Sequence, residues 1–343
     1  MQRSFLAPSP SLDGANILVT GGTGSFGHAF IRTVLERYQP RRVVVFSRDE
    51  LKQYEMEQKI QAEDKDRVRF FIGDVRDSER LEVAMREIDV VIHAAALKHV
   101  SAAEYNPFEC VKTNIHGAEN VVMAALRANV KKIIALSTDK AASPINLYGA
   151  SKLAADKIFV AANNYSGSQN TRFSVVRYGN VLGSRGSVLP FFENLIASGA
   201  TTLPITHADM TRFWITLQQG VDFVLSSLAI MSGGEVFVPK IPSMKVVDVA
   251  RAMAPDLEHE FVGIRPGEKL HETMVTVDDG RLTLELEDRY IIEPALAFWS
   301  NSHLIGRNAK SVIEGFEYAS NLNTEWLDAA GLLALMDGGA GGR

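Results

Sequence analysis

The amino-acid sequence predicts an α/β protein: a Rossmann-like, doubly wound parallel sheet with a smaller C-terminal α/β substrate lobe. Three observations lead there. Short apolar runs alternate with amphipathic stretches from Asn16 to Arg177, and a glycine series, Gly21, Gly24 and Gly27, follows the first run directly. The length, 343 residues, suits a large sheet domain with an appended lobe better than one minimal domain.

Each element follows from its local pattern. The runs NILVT, RVVVF, VRFFIG, DVVIHAA, KKIIALS and FSVVR have the length and β-branched content of buried strands. Between them, residues 25–38, 50–60, 78–87, 107–128 and 148–162 repeat apolar side chains at helical spacing. Strand, helix and strand in repetition require right-handed crossovers, hence a parallel sheet. After Arg177 the rhythm loosens around Gly179, Gly183 and Gly186, with a helix expected over 189–197 and a short extended piece at TTLPIT. EVFVPK with a helix over 245–254 is expected to rejoin the first sheet, and EFVGIRPGEKLHE reads as strand, loop and short helix. The resulting division is an N-terminal extension (1–14), a cofactor-binding domain (15–180, rejoined by about 213–250), a substrate-binding lobe (181–212 and 251–300) and a C-terminal segment (301–343) whose end, MDGGAGGR, is expected to fray.

Composition narrows the function. A hydrophobic fraction of 46%, a charged fraction of 22% and a net charge of -5 are those of an ordinary soluble protein and argue against a nucleic-acid partner. The single cysteine, Cys110, excludes an intramolecular disulfide and a cysteine-based zinc cluster. His93, His99 and His271 show no H-E-x-x-H spacing, so no metal is expected. No apolar run has secretory character or reaches about 18 residues, which leads to the expectation of a cytoplasmic protein with no membrane association.

The chemistry begins at TGGTGSFG. Glycines at this spacing after a first strand allow a tight turn and a close approach of backbone N–H groups to a pyrophosphate, so Gly21, Thr23, Gly24, Ser25, Phe26 and Gly27 are expected to bind a dinucleotide. NAD enzymes carry an acid about 20 residues further on. Here the second strand ends in Ser47 and Arg48, with Lys52 a turn later; two such cations suit a 2′-phosphate, which points to NADP over NAD. Ser47 with Glu50 also matches a helix-capping box, which would leave Arg48 merely exposed. Asp74 and Val75 end the third strand, where Asp74 would meet the adenine edge, while Ala94 and Ala95 end the fourth, where small residues leave room for a cofactor or for tight helix–sheet packing.

Tyr148 and Lys152, four apart, share a helix face. A tyrosine normally titrates near 10, and bringing it to about 7 takes roughly 4 kcal/mol of phenolate stabilisation, which a neighbouring ammonium helps to supply. The pair can thus take a hydroxyl proton while hydride leaves the same carbon. Asp139 and Lys140 precede it in ALSTDKAASPINLYGASK.

Together the phosphate loop, the Ser-Thr ending of the fifth strand and YGASK resemble the extended short-chain dehydrogenase/reductase superfamily. SRDELKQ, FFIGDVRD, HAAALKHV, STDKAASPINLYGASK, VRYGNVLGSRGSVLPFF, MTRFWIT, FVPKIPSMK and GIRPGEKLHE resemble more closely its soluble, C5-inverting UDP-N-acetylglucosamine 4,6-dehydratases of pseudaminic acid biosynthesis, over residues 16–327. The resemblance implies tightly bound NADP, UDP-N-acetylglucosamine as substrate and a homo-oligomer, either a dimer or an assembly of dimers. It makes Asp139 the acid and Lys140 the C5 base, with Thr138 supporting the sugar. It also places Lys98, Asn180, Arg212, Arg265 and Glu268 around the sugar and diphosphate. The acid–base assignment needs a neutral lysine beside a protonated aspartate, against reference values by roughly 9 kcal/mol; burial and the Lys152 charge are expected to offset that gap. The competing readings are a nucleotide-sugar 4-epimerase, a C5-retaining dehydratase and a noncatalytic NADP-binding sensor.

Overall fold

Six parallel strands organise the first half of the chain: β1 (Asn16–Thr20), β2 (Arg42–Ser47), β3 (Val68–Ile72), β4 (Val90–His93), β5 (Lys132–Thr138) and β6 (Arg172–Tyr178). They are hydrogen-bonded in the order β3-β2-β1-β4-β5-β6. Strand order reverses between β1 and β4, the switch point at which doubly wound sheets bind ligands. The computed structural model describes residues 3–167, 170–184, 187–295 and 308–340. Every residue of β1 and β4 is buried, as a strand covered on both faces must be, and this is why the sequence shows apolar runs there and not alternation.

Helices α1 (Ser25–Arg37), α2 (Glu50–Glu57), α3 (Ser78–Ala84), α4 (Val100–Tyr105), α5 (Pro107–Val111), α6 (Gly117–Arg127) and α7 (Leu147–Ala162) make the crossovers. The six-residue α4 has too little length to show a period in sequence. The stretch 107–128, expected as one helix, contains a π turn at Lys112–His116 between α5 and α6. Such turns widen the helix locally and re-aim side chains, and here the turn carries the buried Asn114.

The sheet continues beyond β6. Val236–Pro239 pairs parallel to it, with Val236 opposite Val175. Arg289–Ile292, Thr283–Glu285 and Lys310–Ser311 follow, all antiparallel, to make ten strands among the described residues. The sheet is therefore mixed at this edge, and residues 283–292, assigned from sequence to the smaller lobe, hydrogen-bond into the large sheet instead. Strands of two to four residues among charged neighbours carry almost no periodic signal.

A second apolar core is separate from the sheet's own and includes Leu189, Phe192, Leu203, Trp214 and Val249. It lies among helix Val188–Ala197, the parallel strand pair Thr202–Ile205 and Glu258–Phe261, helix Val246–Met253 and the C-terminal helix Ala329–Ala340. The expected fraying does not begin at MDGGAGGR: the helix runs to Ala340 and is anchored by the buried Leu332 and Leu335, while 341–343, like Gly186, lie outside the described residues. At the other end, Phe5 packs edge-on against Phe223 at 5.0 Å, Leu12 is buried and Arg3 pairs with Glu325, so the N-terminal stretch is part of the packed structure. The short helix expected in EKLHE is absent; Glu268 N–H closes a turn on the Arg265 carbonyl, and the chain then enters strand Thr273–Val275.

Candidate active site

The C-terminal ends of β1 to β6 open into a cleft of about 730 Å³. Gly21, Thr23, Gly24, Ser25, Phe26 and Gly27 form one wall. Gly21 has φ +65°, and a Cβ there would stand 2.8 Å from Ala95 N, so both backbone geometry and space demand glycine. The α1 N-cap, Gly24, offers no side-chain cap, which leaves the first-turn N–H groups for an anion. A bare backbone turn feeding an uncapped helix fits a dinucleotide pyrophosphate.

Ser47, Arg48, Lys52, Asp74, Val75, Ala94 and Ala95 line the same cleft. The Ser47–Glu50 capping box does not form. Asp49 caps α2 by accepting from Lys52 N–H, while Ser47 is buried and accepts from Gln53 Nε2 at 3.1 Å. Arg48 Nη1 lies 3.5 Å from Asp74 Oδ2, and Lys52 Nζ 2.8 Å from Asp49 Oδ2. Asp74 also accepts from Arg76 Nη2 at 2.7 Å. Burial alone would raise its carboxyl pKa, but the hydrogen bonds from Arg76 outweigh that and hold it below the usual range. Surface pairs of this kind contribute about 0–1 kcal/mol, so an entering phosphate can exchange with them.

Tyr148 and Lys152 project from α7 into the cleft. The helix starts at Asn146, whose Oδ1 accepts from Gly149 N–H at 2.7 Å and whose Nδ2 donates to the Gly267 carbonyl at 2.8 Å. Gly149 is required here because a Cβ would fall 2.3 Å from the Lys140 carbonyl oxygen: the first turn of α7 presses on the turn Asp139–Ala141. A second brace comes from Asn114, which exchanges hydrogen bonds with the Leu97 backbone and donates to Ser151 Oγ, which in turn donates to the Tyr148 carbonyl. Lys152 Nζ donates to the Leu136 carbonyl at 2.7 Å, and burial pushes its pKa down. Burial pushes the Tyr148 phenol up to about 12, opposed by the Lys140 charge and a hydrogen bond with Thr138.

Behind the tyrosine lies an arrangement with three charged members. Asp139 is 1% exposed; its Oδ1 accepts from Thr138 Oγ1 at 2.9 Å and from Lys140 Nζ at 3.1 Å, while its Oδ2 is buried without a partner. Lys140 lines the cleft and also reaches Glu272 Oε1 at 3.0 Å. Burial disfavours the ammonium, but the two carboxylates overcome it and hold the lysine pKa above its ordinary value. The neutral lysine expected from burial is therefore not what the free protein favours. Glu272 was not foreseen; its only trace in sequence is the last letter of GIRPGEKLHE.

The remaining expected residues divide. Lys98, Thr138 and Asn180 line the cleft. Arg265 is exposed and Glu268 half-buried, with a partnerless buried Oε2, in the turn that meets Asn146 through Gly267. Arg212, expected at the diphosphate, is buried and donates to the carbonyls of Thr211, Lys269 and Leu270, with Nε 3.8 Å from Glu272 Oε1. Backbone carbonyls satisfy a guanidinium fork as well as phosphate oxygens do, and here they hold it away from the cleft.

Comparison with known proteins places this arrangement. The family described as "Polysaccharide biosynthesis protein" matches residues 17–294. A UDP-N-acetylglucosamine 4,6-dehydratase (inverting) of Campylobacter jejuni subsp. jejuni serotype O:23/36 (strain 81-176) is 56% identical over 330 residues, covering 95% of this chain and 98% of the relative. The X-ray structure of Pen from Bacillus thuringiensis superposes with a TM-score of 0.86 at 37% identity, covering 95% of this chain and 98% of that one. DesIV, a dTDP-glucose 4,6-dehydratase from Streptomyces venezuelae solved with NAD and TYD bound, shares the fold at 22% identity with a TM-score of 0.67, covering 82% of this chain and 93% of that one.

Proposed function

Because the chain belongs to the polysaccharide biosynthesis protein family, we propose that it acts on a nucleotide sugar, as a UDP-N-acetylglucosamine 4,6-dehydratase that inverts C5. The observation that carries this reading is the Asp139–Lys140 pair at the end of β5, within a turn that α7 presses on and beside Tyr148. Oxidation and reduction at one carbon, as in an epimerase, need only Tyr148 and Lys152; elimination of water needs a further acid and a further base. The 56% identity to a relative of the same description supports it.

The Gly21–Gly27 loop would hold a nicotinamide dinucleotide, which would supply there the reversible hydride acceptor that a change between C4 and C6 requires. Ser47, Arg48 and Lys52 make NADP the better fit. Tyr148 takes the C4 hydroxyl proton. It is a phenol at neutral pH in the free protein, because burial outweighs the neighbouring Lys140 charge, so its own proton first leaves to solvent and the resulting phenolate accepts the C4 proton. The C4 ketone makes the C5 hydrogen acidic. Lys140, once its own proton has passed to Asp139 along their 3.1 Å hydrogen bond, accepts the C5 proton. Asp139 then protonates the C6 hydroxyl, which leaves as water; a solvent proton, balanced by the one Tyr148 gives up as it returns to phenolate, adds to the opposite face of C5 and completes the inversion. Lys98 and Asn180, which line the cleft, are assigned to the sugar, and Arg265 and Glu268 to the diphosphate. Arg212 serves as a brace and makes no substrate contact. The smaller lobe holds the nucleotide, and the protein works as a dimer or an assembly of dimers in the cytoplasm, at the first step towards pseudaminic acid or a related surface sugar such as those added to flagellin.

Incubation with UDP-N-acetylglucosamine followed by mass spectrometry tests the reaction class. A product lighter by one water supports dehydration; a product of unchanged mass that co-elutes with UDP-N-acetylgalactosamine overturns it in favour of epimerisation.

A further inference from the structure

We propose that Glu272 is a positioning residue for the base of this reaction: with Asp139 it forms a two-carboxylate seat that holds the Lys140 amine in place and sets the pH range over which the pair keeps its shared proton. The inference rests on the dehydratase reading and adds to it a residue from a distant part of the chain.

Glu272 is 1% exposed and fixed from several directions. Its N–H donates to Ser320 Oγ at 2.9 Å, its carbonyl accepts from Ser320 N–H at 2.7 Å, and Arg212 ties down the two residues before His271 through their carbonyls. The carboxylate thus has little freedom to move. Its Oε1 meets Lys140 Nζ at 3.0 Å, while its Oε2 is buried and unpartnered. A buried carboxylate with half its acceptor capacity unused depends on a nearby positive charge, because desolvation is not offset in any other way. Lys140 supplies that charge at contact distance; Arg212 Nε is further off at 3.8 Å.

The groups facing Lys140 are Asp139 from its own turn, Glu272, Tyr148 from α7, Arg212 from strand Thr211–Ile215 and Lys269, whose Nζ donates to the Ala142 carbonyl. Two carboxylates oppose two cations, and the carboxylates are in direct contact with Nζ, so the ammonium wins. A group whose pKa is raised on folding adds stability that is complete below its unfolded value, about 10.4 for lysine, and is lost as pH rises through the higher folded value. Removing the Glu272 charge moves that loss to lower pH. The pair then sheds its shared proton earlier, and activity falls earlier on the alkaline side.

The test uses the full chain labelled with isotopic lysine, with the Lys140 resonance assigned by its absence in Lys140→Arg, and follows its titration by NMR in parallel with the pH profile of dehydration. Glu272→Gln is expected to lower the Lys140 titration midpoint and the alkaline limb of activity by about one pH unit or more, with Glu272→Asp falling between it and the unaltered chain. If both the midpoint and the limb stay where they are in the unaltered chain, and only the rate falls, the proposal is overturned. Should Glu272→Gln lose its native circular dichroism, Glu272→Asp decides alone: a midpoint below that of the unaltered chain supports the seat, and an unchanged one refutes it. Because the NMR titration needs no substrate, it judges the seat even if no dehydration occurs, an outcome that would count against the functional reading alone.

Discussion

The glycine loop after β1 and the Asp139–Lys140 pocket at the end of β5 lie at the same edge of the sheet, with β4 between their strands, yet they are built in opposite ways. The loop is made of backbone: Gly21 and Gly24 contribute the turn, closed by the Gly24 N–H on the Gly21 carbonyl, the uncapped start of α1 contributes N–H groups, and all the parts fall within one short stretch after β1. The pocket is made of side chains whose charges must balance, and its members come from the β5 end, from the turn before Thr273–Val275 and from strand Thr211–Ile215. The first depends on what is left out, a Cβ or a cap. The second depends on partners that meet only when the chain is folded. Binding and chemistry should therefore fail separately when each region is altered.

Lys140→Met is expected to have the largest effect. Removing a proton-transfer group costs about 10²–10⁴-fold in rate, so product formation should fall at least that far while nicotinamide nucleotide binding is retained. Loss of the nucleotide as well would mean that the two regions are not independent. Gly21→Ala tests the other side: with φ +65° and Ala95 N at 2.8 Å, the strain is about 1–3 kcal/mol. Bound nucleotide and melting temperature should fall together, and an unchanged nucleotide content would show that the loop is not the pyrophosphate cradle. The smallest effect belongs to Arg48→Ala. Arg48 is exposed and, among the described residues, pairs with Asp74 at 3.5 Å, so the variant should lose about tenfold in preference for NADP over NAD, roughly 1.4 kcal/mol, with dehydration by the loaded enzyme unaltered. Equal preference in the unaltered chain would remove the case for a 2′-phosphate contact.

The same contrast explains what could be read from sequence. Gly21 to Gly27 and Tyr148 with Lys152 are local patterns whose spacing carries their meaning, and Asp139–Lys140 is legible because it lies in the same stretch as the tyrosine. The six parallel strands declared themselves through apolar runs. Glu272 carried no such signal: a single glutamate after a histidine gains significance only from the fold that sets it against Lys140. Asn114 was hidden for a similar reason, since the π turn that carries it inside a helical pattern leaves no mark on the apolar period. Arg212, expected at the diphosphate, donates to backbone carbonyls in the free protein, because an arginine's type shows its donors and not which acceptors reach them first. Strands Thr283–Glu285 and Arg289–Ile292 were missed because three or four residues cannot establish a period.

The claim that Asp139 and Lys140 act across one C5–C6 bond is tested most directly in deuterium oxide. The protein is incubated with UDP-N-acetylglucosamine and the sugar followed by NMR. The account predicts a 4-keto-6-deoxy sugar with deuterium at an inverted C5; a product with C5 retained would contradict the inverting reading, and UDP-N-acetylgalactosamine alone would contradict dehydration itself.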